Sequence, residues 1–286
     1  MASNSAPRIP TGEYGGTGSG VARHPRVDLE YRNTMGIEAI EPQSIRNVTI
    51  VGDPGPVARL TARLPIGGRP IHWVADHATH TIRLAELSTQ IPAAELERSI
   101  RVADGLVVVV DAATANTRRL ETALRVADDH QVARLCLVTG LGRPGADFDR
   151  SVRTIADARG AVPVPVHLPL GIGAEFDGVL DLVRMWELEP TAPEFFGGRW
   201  AAAEHRYRRL VEAVFENDSA PDARPRGLRP EWLYDRIRDR TRIGDAVPVL
   251  CDPAPHRDDR GALLDAIVRF LPSPLQVCQP EHALDY

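Results

Sequence analysis

The run Gly105-Leu-Val-Val-Val-Val-Asp111 decides the fold. Nothing in it is polar until the final aspartate, so a strand built from it has no solvent face. Both faces must be covered, which is the mark of a central strand in a parallel sheet.

Reading outward, the pattern alternates. Upstream lie a β-branched strand at 46–52 ending in glycine, apolar runs at 71–74 and 79–84, and a helix at 92–103. That helix has Pro92 in its first turn and apolar residues at helical spacing. Downstream come a helix at about 116–130, strand 133–139, helix 147–158 and strand 163–168. This alternation predicts an α/β domain with a doubly wound, mostly parallel sheet. Residues 175–245 read instead as a mostly helical insertion, with helices at 175–187, 201–216 and 230–242 and a Pro/Arg-rich loop at 219–230. Strand 246–251 and helix 261–271 return to the α/β pattern. Residues 1–44 show no sustained apolar period and read as a flexible arm; 276–286 read as a tail.

The composition narrows the function classes. The 286 residues are 43% hydrophobic and 26% charged, ordinary for a globular protein. A net charge of -5 argues against broad, charge-driven nucleic-acid binding. All 34 basic Lys+Arg residues are arginine. Cys136, Cys251 and Cys278 lack metal-ligand spacing, and the first two sit in strand-like runs as buried thiols. With no signal peptide and no apolar stretch of bilayer-spanning length, a cytoplasmic protein is expected.

Several segments, in collinear order, resemble the G domain of translation elongation factor G. Residues 97–105 followed by 107–111 resemble the helix and strand after that family's third GTPase motif. Arg143-Pro-Gly-Ala-Asp-Phe148 resembles the segment after its guanine-recognition motif. Val164-Pro-Val-His-Leu-Pro169 and residues 175–183 resemble the start of its G′ insertion, and Val247-Pro-Val-Leu-Cys251, residues 263–268 and Leu271-Pro-Ser-Pro274 the end of the G domain. The resemblance covers about 46–275. It implies a P-loop-NTPase-like fold with the G domain at 45–174 and 246–275 and a G′-like, helical (α+β) insertion at 175–245.

The nucleotide motifs that the resemblance calls for are altered together. A working P-loop, G-x-x-x-x-G-K-[ST], cradles phosphates with backbone amides, a lysine and a Mg²⁺-binding hydroxyl. Here the stretch is Gly52-Asp-Pro-Gly-Pro-Val-Ala-Arg-Leu60. Lysine and hydroxyl are missing, Pro54 and Pro56 remove two amide donors, and Asp53 puts negative charge where phosphate would sit. Gly55 remains. Arg59 as a lysine substitute is disfavoured by its place inside the following helix. The segment from Gly55 to the third motif is too short for the first switch. The third motif falls on Ala85-Glu-Leu-Ser-Thr89, so Ala85, Ser88 and Thr89 replace its aspartate, glycine and histidine. The guanine motif falls on Thr139-Gly-Leu-Gly142, with Gly140 and Gly142 for lysine and aspartate. The last motif becomes Pro253-Ala254. Each lost hydrogen bond to a charged ligand removes roughly 1.5–3 kcal/mol.

Other candidates are weaker. His72, Asp76, His77 and His80 form a local cluster, but their spacing fits no standard zinc motif. Asp128, Asp129 and His130 read as a solvated helix terminus. Arg206, Arg208 and Arg209, among Glu204 and Glu212, read as a salt-bridged exposed face.

The expected function is a non-catalytic, elongation factor G-like module, not an enzyme, without metal or nucleotide cofactor. It would bind a protein partner. The resemblance points to the ribosome or its stalk protein, which the family's G domain and insertion contact. No membrane partner and no direct nucleic-acid specificity is expected. Two alternatives stand beside it: a GTPase using unconventional residues, and a scaffold subunit of a hetero-complex.

Overall fold

A computed structural model describes residues 41–66, 68–114, 118–158, 162–188, 192–215, 228–253 and 260–277. The expected arm lies outside these residues, except for its last four. Three of those form a 3-10 turn at Pro42–Ser44 leading into the first strand. Most of the expected tail, with Cys278, also lies outside them.

The first strand, β1 (Ile45–Gly52), passes into helix α1 (Pro54–Thr61). A hairpin follows, β2 (Ile71–Ala75) with β3 (Ala78–Ser88), and then α2 (Ala93–Arg101) and β4 (Gly105–Asp111). Next come α3 (Arg118–Asp129), β5 (Arg134–Thr139), α4 (Phe148–Asp157) and β6 (Val162–Pro165). Residues up to 245 add β7 (His167–Leu170), β8 (Gly178–Asp181), α5 (Ala192–Phe196), α6 (Gly198–Phe215) and α7 (Pro230–Arg242). β9 (Ala246–Cys251) and α8 (Gly261–Phe270) complete the frame.

Seven strands form one sheet in the order β2-β3-β1-β4-β5-β9-β6. Only the β2–β3 pair is antiparallel. The α/β doubly wound, mostly parallel sheet expected from the sequence is the observed one. β4 is buried along its whole length. Its side chains alternate between two cores. Val107 and Val109 join a cluster with Leu60, Leu264 and Ile267, while Leu106, Val108 and Val110 join one with Ile100, Leu124 and Ile155. Residues of the 175–245 segment, including Leu182, Tyr207, Leu210 and Ile237, belong to the first cluster. Trp186 meets Trp200 and Tyr207 edge-on at 5.6 and 5.7 Å.

Three expectations need correction. The helix expected at 175–187 is absent; strand β8 pairs antiparallel with β7, and 3-10 turns at Gly173–Glu175 and Met185–Leu188 flank it. Asp181 stops the chain there, because its carboxylate accepts the amides of Val183 and Arg184 at 2.8 and 3.3 Å. The strand expected at 163–168 is two strands, which belong to different sheets. The end of α3 is not merely solvated. Asp128 accepts from Arg134 Nη2 at 2.8 Å, and the Arg134 side chain is only 2% exposed. Cys136 and Cys251 are buried free thiols as expected, and burial pushes Cys136 up to about 12.

Candidate functional site

In an open, doubly wound sheet, ligands bind beyond the carboxyl ends of the strands, at the point where strand order reverses. That point here lies between β1 and β4, and Gly52 and Asp111 end the two strands.

On the β1 side, a single residue separates strand from helix. Asp53 is the N-cap residue of α1 in extended conformation, and Val57 N already donates to its carbonyl at 3.1 Å. A one-residue link leaves no loop whose amides could encircle a phosphate. Pro54 and Pro56, in the first helical turn, carry no N–H to offer. The Asp53 carboxylate makes no cap bond; it accepts the Thr89 hydroxyl at 3.0 Å. Thr89 also donates its amide to the Gly52 carbonyl at 3.1 Å, its one hydroxyl hydrogen is shared with that carbonyl at the same distance, and the residue is buried. A Cβ on Gly52 would come within 3.0 Å of Val109 O and Val57 Cγ2, so the strand end is closely packed.

On the β4 side, Asp111 gathers two of the local cations, while Arg150 Nη2 donates to the Ala112 and Gly145 carbonyls, both at 2.9 Å. Asp111 Oδ2 accepts from Arg59 Nη2 at 3.0 Å and from Arg143 Nη1 at 2.7 Å, and its Oδ1 accepts the Ala113 amide at 2.9 Å. The carboxylate is 4% exposed, while the two arginines are about half exposed, at 56% and 48%. Gly140 permits this arrangement. Its φ is +72°, and a Cβ there would lie 3.0 Å from Asp111 Oδ1 and 3.3 Å from Arg143 Cδ. One carboxylate thus ties α1, β4 and the loop after β5 together. A second pair repeats the device two strands over, beyond β9, where Arg63 Nη2 donates to Asp252 Oδ2 at 2.7 Å.

Between the two sides remains a cavity of about 30 Å³, lined by Gly52, Asp53, Thr89, Asp111 and Arg150 among others. That is room for a water or two. Small-molecule sites ordinarily occupy roughly 300–1,000 Å³.

The residues aligned with nucleotide motifs are therefore only partly convergent. Gly52, Asp53 and Thr89 meet at the switch point, and Gly55 lies in the first turn of α1. Ser88 pairs with Gly52 at the sheet edge, but Ala85 pairs with Thr49, three residues back along the strand. Thr139 ends β5 and its hydroxyl donates to Val110 O at 3.4 Å. Gly140 and Gly142 follow it, in a turn closed by Arg143 N donating to Gly140 O at 3.0 Å. Pro253 lines a separate cleft with His167 and Asp265, and Ala254 lies outside the described residues. The histidine cluster does not assemble. Asp76 and His77 form the β2–β3 turn, with φ of 50° and 64°. His80 pairs with Trp73 and is buried, whereas His72 belongs to the opposite, exposed face. No group of three or more candidate metal ligands occurs among the described residues. The arginines expected to form an exposed, bridged face are engaged in part across elements: Arg206 bonds Asp149 at the start of α4.

Sequence reasoning set Arg59 aside and missed Asp111, Arg143, Arg63 and Asp252 as a set. The available signal was a lone aspartate at the carboxyl end of each of two apolar strands, Asp111 directly and Asp252 one residue beyond. In a chain without lysine, such carboxylates pair with whichever arginines reach them. Replacing Asp111 by asparagine should lower stability by about 1–3 kcal/mol, because two charge-assisted bonds become weaker neutral ones. Urea denaturation of the variant beside the unaltered protein measures this; an unchanged midpoint would show that the two bridges contribute nothing.

The family model of the elongation factor Tu GTP binding domain matches residues 93–273. The crystal structure of ttk003000868 from Thermus thermophilus is similar to this fold, with a TM-score of 0.61 and 20% sequence identity. The match covers 81% of this chain and 41% of that one, so this chain spans less than half of that protein's length. The match to the GTP-binding domain overturns the expectation that the chain is not an enzyme. The domain marks a family of GTPases, which are hydrolases, and altered motif residues alone do not remove a chain from that class. Among the described residues no helix is long and apolar enough to cross a membrane.

Proposed function

The chain belongs to the family of the elongation factor Tu GTP binding domain, and from that premise we propose that it is a translation-factor-like G domain that works mainly by docking to a protein partner. The observation that carries this reading is the switch point itself. Two of its cations, Arg59 and Arg143, are held by Asp111, a third, Arg150, is bonded to the Ala112 and Gly145 carbonyls, and Thr89 occupies the end of β1. A ligand carrying phosphates would have to break those contacts and open a cavity of about 30 Å³. Nucleotide affinity is accordingly weak, and the surface rather than the pocket carries the function. Within the family the resemblance favours the ribosome or its stalk protein as partner, and a cytoplasmic site of action follows from that partner. The motif positions Gly52, Asp53, Gly55, Ser88, Thr89, Thr139, Gly140, Gly142 and Pro253 are read as the remains of a nucleotide pocket, and residues 175–245 as the G′-like insertion.

One observation favours a second reading. Arg59 and Arg143 are half exposed at the switch point, and an arginine fork matches phosphate oxygens well. A GTPase that works without lysine would exchange the Asp111 carboxylate for nucleotide phosphate on these two guanidiniums. Co-sedimentation with ribosomes tests the docking reading. Association at low salt that persists without nucleotide is expected, whereas association only with added GTP would favour the second reading, and none under either condition would remove the ribosomal partner.

A further inference from the structure

The two edges of the main sheet are built differently. At one end, β6 is Val162-Pro-Val-Pro165 and, among the described residues, pairs only with β9. Val162 N donates to Asp245 O and Val166 N to Val249 O, so the intervening odd-numbered positions face outward. Those positions are Pro163 and Pro165, which have no N–H, and this edge therefore offers no donor to another strand.

Among the described residues the opposite edge has no such protection. β2 is Ile71-His-Trp-Val-Ala75, free of proline, lysine, arginine and carboxylates. Among the described residues it pairs only with β3, through a two-residue turn at Asp76 and His77 in which both residues have positive φ. In a hairpin of this kind the closing pair, Ala75 with Ala78, is hydrogen-bonded, and bonded and non-bonded pairs then alternate. Ile71, Trp73 and Ala75 thus spend their amides and carbonyls on β3. His72 and Val74 point theirs outward. The strand is held firmly for this role. Ile71, Trp73 and Ala75 pack on the first core, and Trp73 Nε1 donates to Asp265 Oδ1 at 2.8 Å. Val74 is 71% exposed, among the largest exposures of any apolar side chain described.

We infer that β2 pairs antiparallel with β2 of a second copy of this chain, joining two sheets across a two-fold axis at Trp73. The sequence is complementary to itself in that register. His72 faces the partner's Val74 and Val74 faces the partner's His72, and both are the residues whose amides and carbonyls point outward. Two hydrogen-bonded pairs form, each exchanging two N–H···O=C bonds. No like charges meet along the strand. At either end the register sets Pro70 of one copy opposite Asp76 of the other, with Arg69 one position beyond, which brings opposite charges near each other where the strands diverge. A bonded segment this short gives a weak, concentration-dependent dimer rather than an obligate one.

Sedimentation velocity on the full chain across a concentration series tests this, together with Val74→Lys. The substituted side chain is exposed, so the variant should keep its melting temperature. A lysine on the edge strand blocks pairing and sets like charges near each other across the two-fold. The expected result is a monomer–dimer equilibrium for the unaltered protein and at least about a tenfold weaker one for the variant. Hydrogen exchange supplies a second readout: the His72 and Val74 amides should gain protection as protein concentration rises, while the Trp73 amide should not change. A chain monomeric at every concentration, a dimer that Val74→Lys leaves intact, or a β2 edge protected only by a different protein would each overturn the inference.

Discussion

Replacing Gly171 with alanine should destabilise the protein by at least about 3 kcal/mol, the largest effect expected of any single methyl group here. Gly171 follows β7 at the entry to the 175–245 segment, with φ of +84°. An L-residue is strained at that angle, but strain is the smaller part. An alanine Cβ would lie 2.0 Å from the Glu175 carbonyl oxygen and 2.7 Å from its carbon. Both are backbone atoms, held by the bonds that close the turn: Asp177 N donates to Leu170 O at 2.9 Å, and Phe176 N to Gly173 O at 3.1 Å. The clash therefore cannot be relieved by a rotamer change. Relief would separate β7 from β8 and expose Phe176 and Leu180, both buried. Gly173→Ala is the matched control. It also has positive φ, +63°, but its nearest neighbour is Arg143 O at 3.8 Å, so it should lose only about 1–2 kcal/mol. Thermal and urea denaturation of the two variants side by side distinguish the clash from the dihedral. Equal losses would contradict the packing described.

Removing the Asp128 carboxylate should be nearly as costly, by roughly 2–3 kcal/mol. Arg134 begins β5 with its side chain almost fully enclosed, and besides Asp128 it has one long bond, Nη1 to Val132 O at 3.4 Å. Asp128→Ala would leave a buried guanidinium without its counter-charge, the situation in which breaking a pair costs most. The value sits at the low end because Asp128 keeps 28% exposure and water can take part of its place. The double variant Asp128→Ala/Arg134→Met should recover much of the loss, because it removes the stranded charge and keeps the volume. A double variant no more stable than Asp128→Ala alone would show that Arg134 contributes packing and not charge.

The frame was legible because its signals are local and strong. A strand such as residues 105–111 has one reading, and the helices at 118–129, 148–157 and 230–242 announce themselves by apolar spacing. The two-strand sheet of β7 and β8 was hidden for a physical reason. Residues 178–183 are too few to separate period 2 from period 3.6, and the stop is made by the Asp181 side chain folding back onto amides two and three residues on. The candidate site was legible only in its losses. Absent lysine, prolines in the first turn and a shortened loop can be read from the chain. The replacement contacts cannot, because Arg59, Asp111 and Arg143 are separated by 52 and 32 residues and meet only through the sheet order. Ala85 illustrates the same limit. An ungapped alignment places it where an aspartate would hold a metal-bound water, whereas the β1–β3 register leaves it mid-strand.

The proposed function rests on side chains of this G domain occupying the place where nucleotide phosphates would bind. Titration of the full chain with fluorescent GDP and GTP, with Mg²⁺ present, tests it most directly. The arrangement at Thr89, Asp111, Arg59 and Arg143 predicts half-saturation no lower than about a millimolar, near the weak end of measurable affinities. Saturable binding of either nucleotide with a micromolar dissociation constant would contradict it.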